Sequence, residues 1–165
     1  MVDHDGDRFH YRGLRVQPKP IQQPPDVWLG GFSPAELRRV GRVGDGWLPS
    51  FMLPDDVASG RELIERTAAE HGRAIDPEHY GVLIPYSDGE VPTAFVEAIA
   101  KRRPDLADPT ALIPAGWDAL CERIEKFVAV GTSKFVVLPL SEPASPEAWV
   151  AHLEEAAGVL LPLQT

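Results

Sequence analysis

Along this chain, short unbroken apolar runs alternate with longer stretches in which apolar residues recur every three or four positions. Val27, Trp28 and Leu29 form the first run, directly after Pro24 and Pro25, and read as a strand over 27–29 buried on both faces. Residues 46–48, 80–84 and 134–138 read as three more strands, the last again buried on both faces. The stretches between them have helical period. A helix over 34–43 turns Leu37 and Val40 inward and Arg38, Arg39 and Arg42 outward, and Gly44 ends it. A second begins near Pro54, with Val57, Ile64 and Ala68 inward and Gly72 as its stop. A shorter one runs from Thr93 to Lys101. The clearest stripe is Leu120, Ile124, Phe127 and Val128, in a helix ended by Gly131. A last helix opens at Ser145, Pro146 and Glu147, with Trp149, Leu153 and Ala156 inward and His152 on its charged face.

Strands alternating with helices predict βαβ units and a parallel sheet, and four such units make half of an eight-fold barrel. Pro49, Pro85 and Pro139 each stand where a strand should stop. The expected organisation is a polar, proline-rich extended arm over 1–25 with little regular structure, then a βα domain over 26–165 with an insertion at about 88–117. The carboxyl ends of the strands then place Gly30, Gly31, Phe32 and Ser33 on one rim with Trp47, Ser50, Tyr86 and Leu140.

The candidate chemistry lies at the first strand–helix turn. Gly30 and Gly31 turn sharply and leave the backbone bare. Ser33 reads as an N-cap, Pro34 as the first helical residue and Glu36 as the partner in a capping box. A helix starting there points free N–H groups above the sheet, where a phosphate fits. The same order also builds ordinary βα connections, so the motif alone leaves both readings open.

Composition narrows the classes. With 16 Lys and Arg against 25 Asp and Glu, the net charge of −9 opposes nucleic acid and anionic membrane surfaces. No apolar run approaches the ~18 residues of a membrane helix, and the acidic N-terminus does not read as a signal peptide. A cytoplasmic location is expected. Cys121, the single cysteine, reads as a packed thiol on a helix. His4, Asp5 and Asp7 lack the converging spacing of a metal site, so no metal is expected. His71 and His79 read as capping or surface residues, and no hydrolase triad can be placed.

Several segments together carry a family resemblance: Tyr11-Arg-Gly-Leu-Arg-Val-Gln-Pro-Lys-Pro20, Gln23-Pro-Pro-Asp-Val-Trp-Leu-Gly-Gly31, Arg42-Val-Gly-Asp-Gly-Trp-Leu-Pro49, His71-Gly-Arg73 and Gly131-Thr-Ser-Lys-Phe-Val-Val-Leu-Pro139. They resemble the central and carboxyl-terminal parts of luciferase-like monooxygenases, which use flavin or the deazaflavin coenzyme factor 420. Residues 88–117 are the least family-like. The resemblance implies an α/β fold that is a partial TIM barrel of about four βα units, against a usual barrel length of ~250 residues. It also implies an oxidoreductase using FMN or, by slight preference, deazaflavin, on a small-molecule substrate. The cofactor phosphate would sit at Gly30, Gly31, Phe32 and Ser33. The family's first strands carry much of the ring pocket and the usual catalytic side chains. They have no counterpart here, so no catalytic residue carries over. This implies a truncated or split form; the alternative is a non-catalytic half-barrel binding or assembly module. An open half-barrel leads us to expect a homodimer or a complex with the missing N-terminal half. The rival is a monomer whose arm and insertion fold over the open face.

Overall fold

The computed structural model describes residues 1–164. The arm is a correction. Within a stretch expected to be extended with little regular structure, β1 (Val2–Asp5) and β2 (His10–Leu14) form an antiparallel hairpin with Val2 opposite Leu14 and His4 opposite Tyr11. Gly6 donates to the Phe9 carbonyl at 3.1 Å across the turn, and the Gly13 N–H meets the Asp3 carboxylate at 2.7 Å. Phe9 and Tyr11 favour extended backbone, and the Asp-Gly-Asp run between the strands suits a turn. Every strand residue of the hairpin is exposed. Residues 15–27 contain no helix or strand.

Beyond the arm the chain alternates as its periodicity requires. The order is β3 (Trp28–Leu29), α1 (Pro34–Val43), β4 (Gly46–Trp47), α2 (Pro54–Glu70), β5 (Gly81–Tyr86), α3 (Thr93–Arg102), α4 (Gly116–Ala129), β6 (Lys134–Pro139) and α5 (Pro146–Leu160). β3 pairs in parallel with β4, and β5 with β6 through six consecutive positions. Parallel bridges from Trp47 to Tyr80 and from Ser50 to Leu83 link the two pairs, giving the spatial order β3-β4-β5-β6. Among the described residues no helix is long and apolar enough to cross a membrane.

Two strand expectations change, the first in part. Pro85 does not end its strand, since it pairs with Leu138 and β5 runs on to Tyr86, whereas Pro139, opposite Tyr86, is the last residue of β6 as expected. Proline is tolerated where its missing N–H would not have faced a paired neighbour. The outer strands are also not buried on both faces. Val27 is 47% exposed, and in β6 exposure alternates, with Val136 at 43% and Leu138 at 44%. An apolar run shows that both faces can be covered, and here only the face with Phe135 and Val137 packs on the core.

The core lies between the sheet and α1, α2 and α4. Val40, Trp47, Ile64, Leu120 and Phe127 are essentially inaccessible, and each such side chain contributes roughly 1.5–3 kcal/mol by burial. α1 and α2 approach closely at Gly41, where a Cβ would come within 2.7 Å of the Ile64 carbonyl oxygen. α4 buries Leu120, Ile124 and Phe127 but leaves Val128 53% exposed, so its stripe is narrower than expected. α5 is rotated from its expected setting. Leu153 is 59% exposed, and His152 turns inward, because its Nε2 lies 2.6 Å from the Tyr86 hydroxyl. Residues 88–117 contain α3 and a 3-10 turn (Pro109–Leu112). Their small cluster of Ile99, Leu112 and Ile113 packs on Phe51, Leu53 and Leu140. Phe51 and Leu53 follow β4, and Leu140 follows β6, so this segment lies over the carboxyl ends of the strands.

Candidate functional site

The structure brings Gly30, Gly31, Phe32 and Ser33 together in the turn between β3 and α1. Gly31 has φ +92°, which favours glycine, and its carbonyl accepts a 2.9 Å hydrogen bond from the Trp47 indole N–H. Trp47 packs against α2, where a Cβ on Gly60 would come within 2.6 Å of its ring. The indole thus ties the rim turn to the core.

The capping box forms as its spacing requires. The Ser33 hydroxyl accepts from the Glu36 N–H at 3.4 Å, and Glu36 Oε2 accepts from the Ser33 N–H at 2.9 Å. The same oxygen also accepts from the Phe32 N–H at 3.1 Å. This corrects the expectation of open donors: the two amides are held by a carboxylate of the chain itself. The Ser33 N–H and hydroxyl foremost, with the Phe32 N–H and the Arg39 charge, keep the Glu36 carboxyl below its ordinary value against partial burial. The turn therefore already holds an anion at neutral pH. The sequence signal for a helix start and the signal for a phosphate cradle are the same residues, and Glu36 occupies two of the donors they share.

Of the other rim residues, Ser50, Tyr86 and Leu140 do stand at the strand ends, with the Leu140 N–H bonded to the Tyr86 carbonyl at 2.9 Å. Tyr86 turns away from the rim and is 2% exposed. Burial first, then the charges of Asp88 and Glu155, push its phenol up, so its protonated hydroxyl faces His152. Trp117 stands 5.1 Å from Tyr86 and 5.4 Å from His152, ring centre to ring centre, and donates its indole N–H to Glu155 at 2.8 Å. This knot docks α5 on β5 and α4.

The rim feature that sequence reasoning missed is Arg103, which stands just past α3. It is 5% exposed and donates to the Phe51 carbonyl at 2.6 Å, to Asp56 at 2.9 Å and to Asp105 at 2.7 Å. Phe51 holds φ 61°, a strained setting for a bulky residue. A cavity of about 420 Å³ opens here, with Phe32, Leu37, Met52, Asp56 and Arg103 among its lining residues. The Arg102 guanidinium lies 5.2 Å from the Phe51 ring centre and 6.0 Å from that of Phe32.

Other candidates take ordinary places. His71 Nδ1 is 2.9 Å from the Thr67 carbonyl at the end of α2, and His79 Nδ1 is 2.9 Å from the Asp45 carbonyl. Cys121 is half-buried on α4, and burial foremost pushes its thiol up, away from the reactive thiolate. Among the described residues no three His, Cys, Asp or Glu converge to hold a metal ion.

Comparison with known proteins gives a consistent picture. Residues 1–133 match the family model described as luciferase-like monooxygenase. The sulfoquinovose monooxygenase of Agrobacterium fabrum is 31% identical over 86 residues, covering 50% of this chain and 22% of that protein. The coenzyme F420 dependent tetrahydromethanopterin reductase of Methanopyrus kandleri superposes with a TM-score of 0.62 at 19% identity, over 99% of this chain and 58% of that one. The oxygenating constituent of 3,6-diketocamphane monooxygenase from Pseudomonas putida, in complex with FMN, gives 0.64 at 15% identity, over 98% and 58%. The chain thus spans little more than half the length of these solved structures and about a fifth of the curated relative.

Proposed function

Because the chain belongs to the luciferase-like monooxygenase family, we propose that it is a partial βα barrel of a flavin- or deazaflavin-dependent oxidoreductase. The family match over residues 1–133 carries this reading. The parallel strand order, with a glycine turn and capped helix at the strand ends, supports it. FMN and factor 420 are the two cofactor classes in view. Either would supply the redox chemistry of its own ring, with the protein contributing binding and orientation. The acidic, single-cysteine composition agrees with a cytoplasmic setting.

As arranged, however, two of the four amides of residues 30–33 are not open to a phosphate. The Phe32 and Ser33 N–H groups are already bonded to Glu36, and a second anion there would meet its charge. No catalytic step is therefore assigned to this turn. Glu36→Gln is expected to strengthen binding of FMN to the chain, and Ser33→Ala in that background to weaken it again, by absorbance titration. Unchanged affinity in both variants would remove residues 30–33 as the phosphate site. The same change has a pH signature. The folded Glu36 pKa is depressed, so its capping contribution is present at neutral pH and lost as pH falls through the depressed value. The Gln variant should lose that part of the acid dependence in pH-resolved melts.

A second reading, a non-catalytic binding or assembly module, is favoured by the occupied Phe32 and Ser33 amides. The isolated chain is expected to show no steady turnover with reduced FMN or reduced factor 420. Sustained cofactor oxidation coupled to product would exclude the module reading.

A further inference from the structure

The cleft beside Arg103 has a lining that selects among ligands. Its volume of about 420 Å³ falls within the ~300–1,000 Å³ usual for small-molecule sites. Part of the lining is apolar: Phe32, Leu37 on α1, Met52 ahead of α2 and Leu63 within it. The polar part is an ion cluster, in which Arg103 and Asp56 both line the cleft with Asp105 beside them. A guanidinium has five N–H groups. Here Nε donates to Asp105, Nη1 to the Phe51 carbonyl and to Asp56 Oδ2, and Nη2 to Asp105 Oδ2, so one Nη2 hydrogen stays unspent. Asp56 Oδ2 accepts from the Leu53 N–H at 2.8 Å as well as from Nη1, and Asp56 Oδ1 accepts nothing among the described residues. The cluster therefore offers one free donor and one free acceptor. Hydrogen bonding to Asp105 foremost pushes the Arg103 value up, and the same bonds foremost hold the Asp105 carboxyl down, so both stay charged at neutral pH.

We propose that this cleft binds an uncharged small molecule with an apolar, ring-sized body and an amide head. An amide carries a carbonyl acceptor and N–H donors, the complement of the free Nη2 hydrogen and of Oδ1. The body is accommodated by the Phe32, Leu37, Met52 and Leu63 side chains, which lose water to it. Charge argues against the two ionic alternatives. A carboxylate head would meet the Asp56 and Asp105 carboxylates. An ammonium head would meet Arg103, which is 5% exposed, and Arg102, whose guanidinium lies 6.0 Å from the Phe32 ring centre. A neutral head avoids both repulsions and pairs the donor and the acceptor that the cluster leaves open. The site does not rest on the cofactor reading. It uses the Phe32 side chain while the Phe32 N–H stays with Glu36, and its walls come from the β3–α1 turn, α1, α2 and the segment after α3.

The test is a ligand-observed NMR titration of the full chain with three probes of one shape: 3-phenylpropionamide, 3-phenylpropionate and 3-phenylpropylammonium. Circular dichroism checks that each variant stays folded. The amide should bind with a dissociation constant of about 0.1–1 mM, at least about fivefold tighter than either ion. Ser59→Trp, at an exposed lining residue, and Leu63→Trp, at a half-buried one, should each fill the cleft and weaken the amide at least about tenfold. Either folded variant is sufficient for this arm. Asp56→Asn keeps a carbonyl oxygen for Arg103 and Leu53 and sets an NH2 where Oδ1 stood. The preference for the amide over the carboxylate should then fall to about twofold or less. No amide binding below about 10 mM, equal affinity for the three probes, or unchanged amide binding in a folded tryptophan variant overturns the proposal. A preference that Asp56→Asn leaves intact overturns it as well.

Discussion

Trp47→Ala is expected to cost about 3–5 kcal/mol of folding stability, the range for deleting a fully buried large aromatic side chain. The indole is wholly inaccessible and belongs to the cluster that includes Val40, Ile64, Tyr80 and Val82. Its ring fills the space left by Gly60 on α2, so its removal leaves a cavity that α2 cannot close without shifting. For a chain of this size the midpoint of thermal unfolding should fall by roughly 2–4 °C per kcal/mol. Trp47→Phe separates packing from tethering. It keeps most of the ring but loses the 2.9 Å bond to the Gly31 carbonyl, at about 1 kcal/mol. Calorimetry on the three proteins checks both figures. A loss below about 1 kcal/mol in the alanine variant would mean that the core does not depend on Trp47.

That residue shows which parts of the fold the sequence makes legible. Short apolar runs and helical stripes locate the βα units because each element must bury one side, and the spacing of apolar residues records which side. Leu37, Val40, Ile64, Leu120 and Phe127 are buried where the period puts them. The capping residue Ser33 is legible too, since cap chemistry is local. What escapes is decided at a distance. Val27, Val136 and Leu138 are apolar in sequence yet exposed, because no local pattern records whether a neighbouring strand or sheet exists to cover them. His152 reads as a surface residue until the Tyr86 hydroxyl, 66 positions away, supplies its partner.

The candidate site divides along the same line. Its place on the chain follows from the two glycines and the cap, all within a few residues. Its state does not. Whether the Phe32 and Ser33 amides are open depends on which way the Glu36 side chain turns, and in this structure it turns onto them. A capping box and an anion cradle use the same donors, so each is the natural competitor of the other. A luciferase-like turn with glutamate at this position thus carries a built-in rival to any phosphate, which makes Glu36 the residue to change first.

The second large effect is expected at Arg103. Arg103→Met keeps an unbranched apolar stem and removes every side-chain polar contact. The part-buried Phe51 carbonyl is then left without its donor, at about 1–3 kcal/mol. The consequence should be local before it is global. Residues 88–117 are held over the strand ends by the small Ile99, Leu112 and Ile113 cluster and by the Arg103 contacts to Phe51 and Asp56. Phe51 itself sits at φ 61°, a conformation that costs of order 1–3 kcal/mol and persists only where its surroundings enforce it. Without the guanidinium, Phe51 is free to relax, and the wall that Arg103 provides to the cavity beside Phe32 opens. Limited proteolysis should therefore cut the variant within 88–117 under conditions where the remainder of the chain resists, while the wild type is cut only as it unfolds. Asp105→Asn, at an exposed partner, should have a much smaller effect. If both variants are cut only in step with global unfolding, Arg103 contributes to overall stability alone and does not hold the segment to the rim.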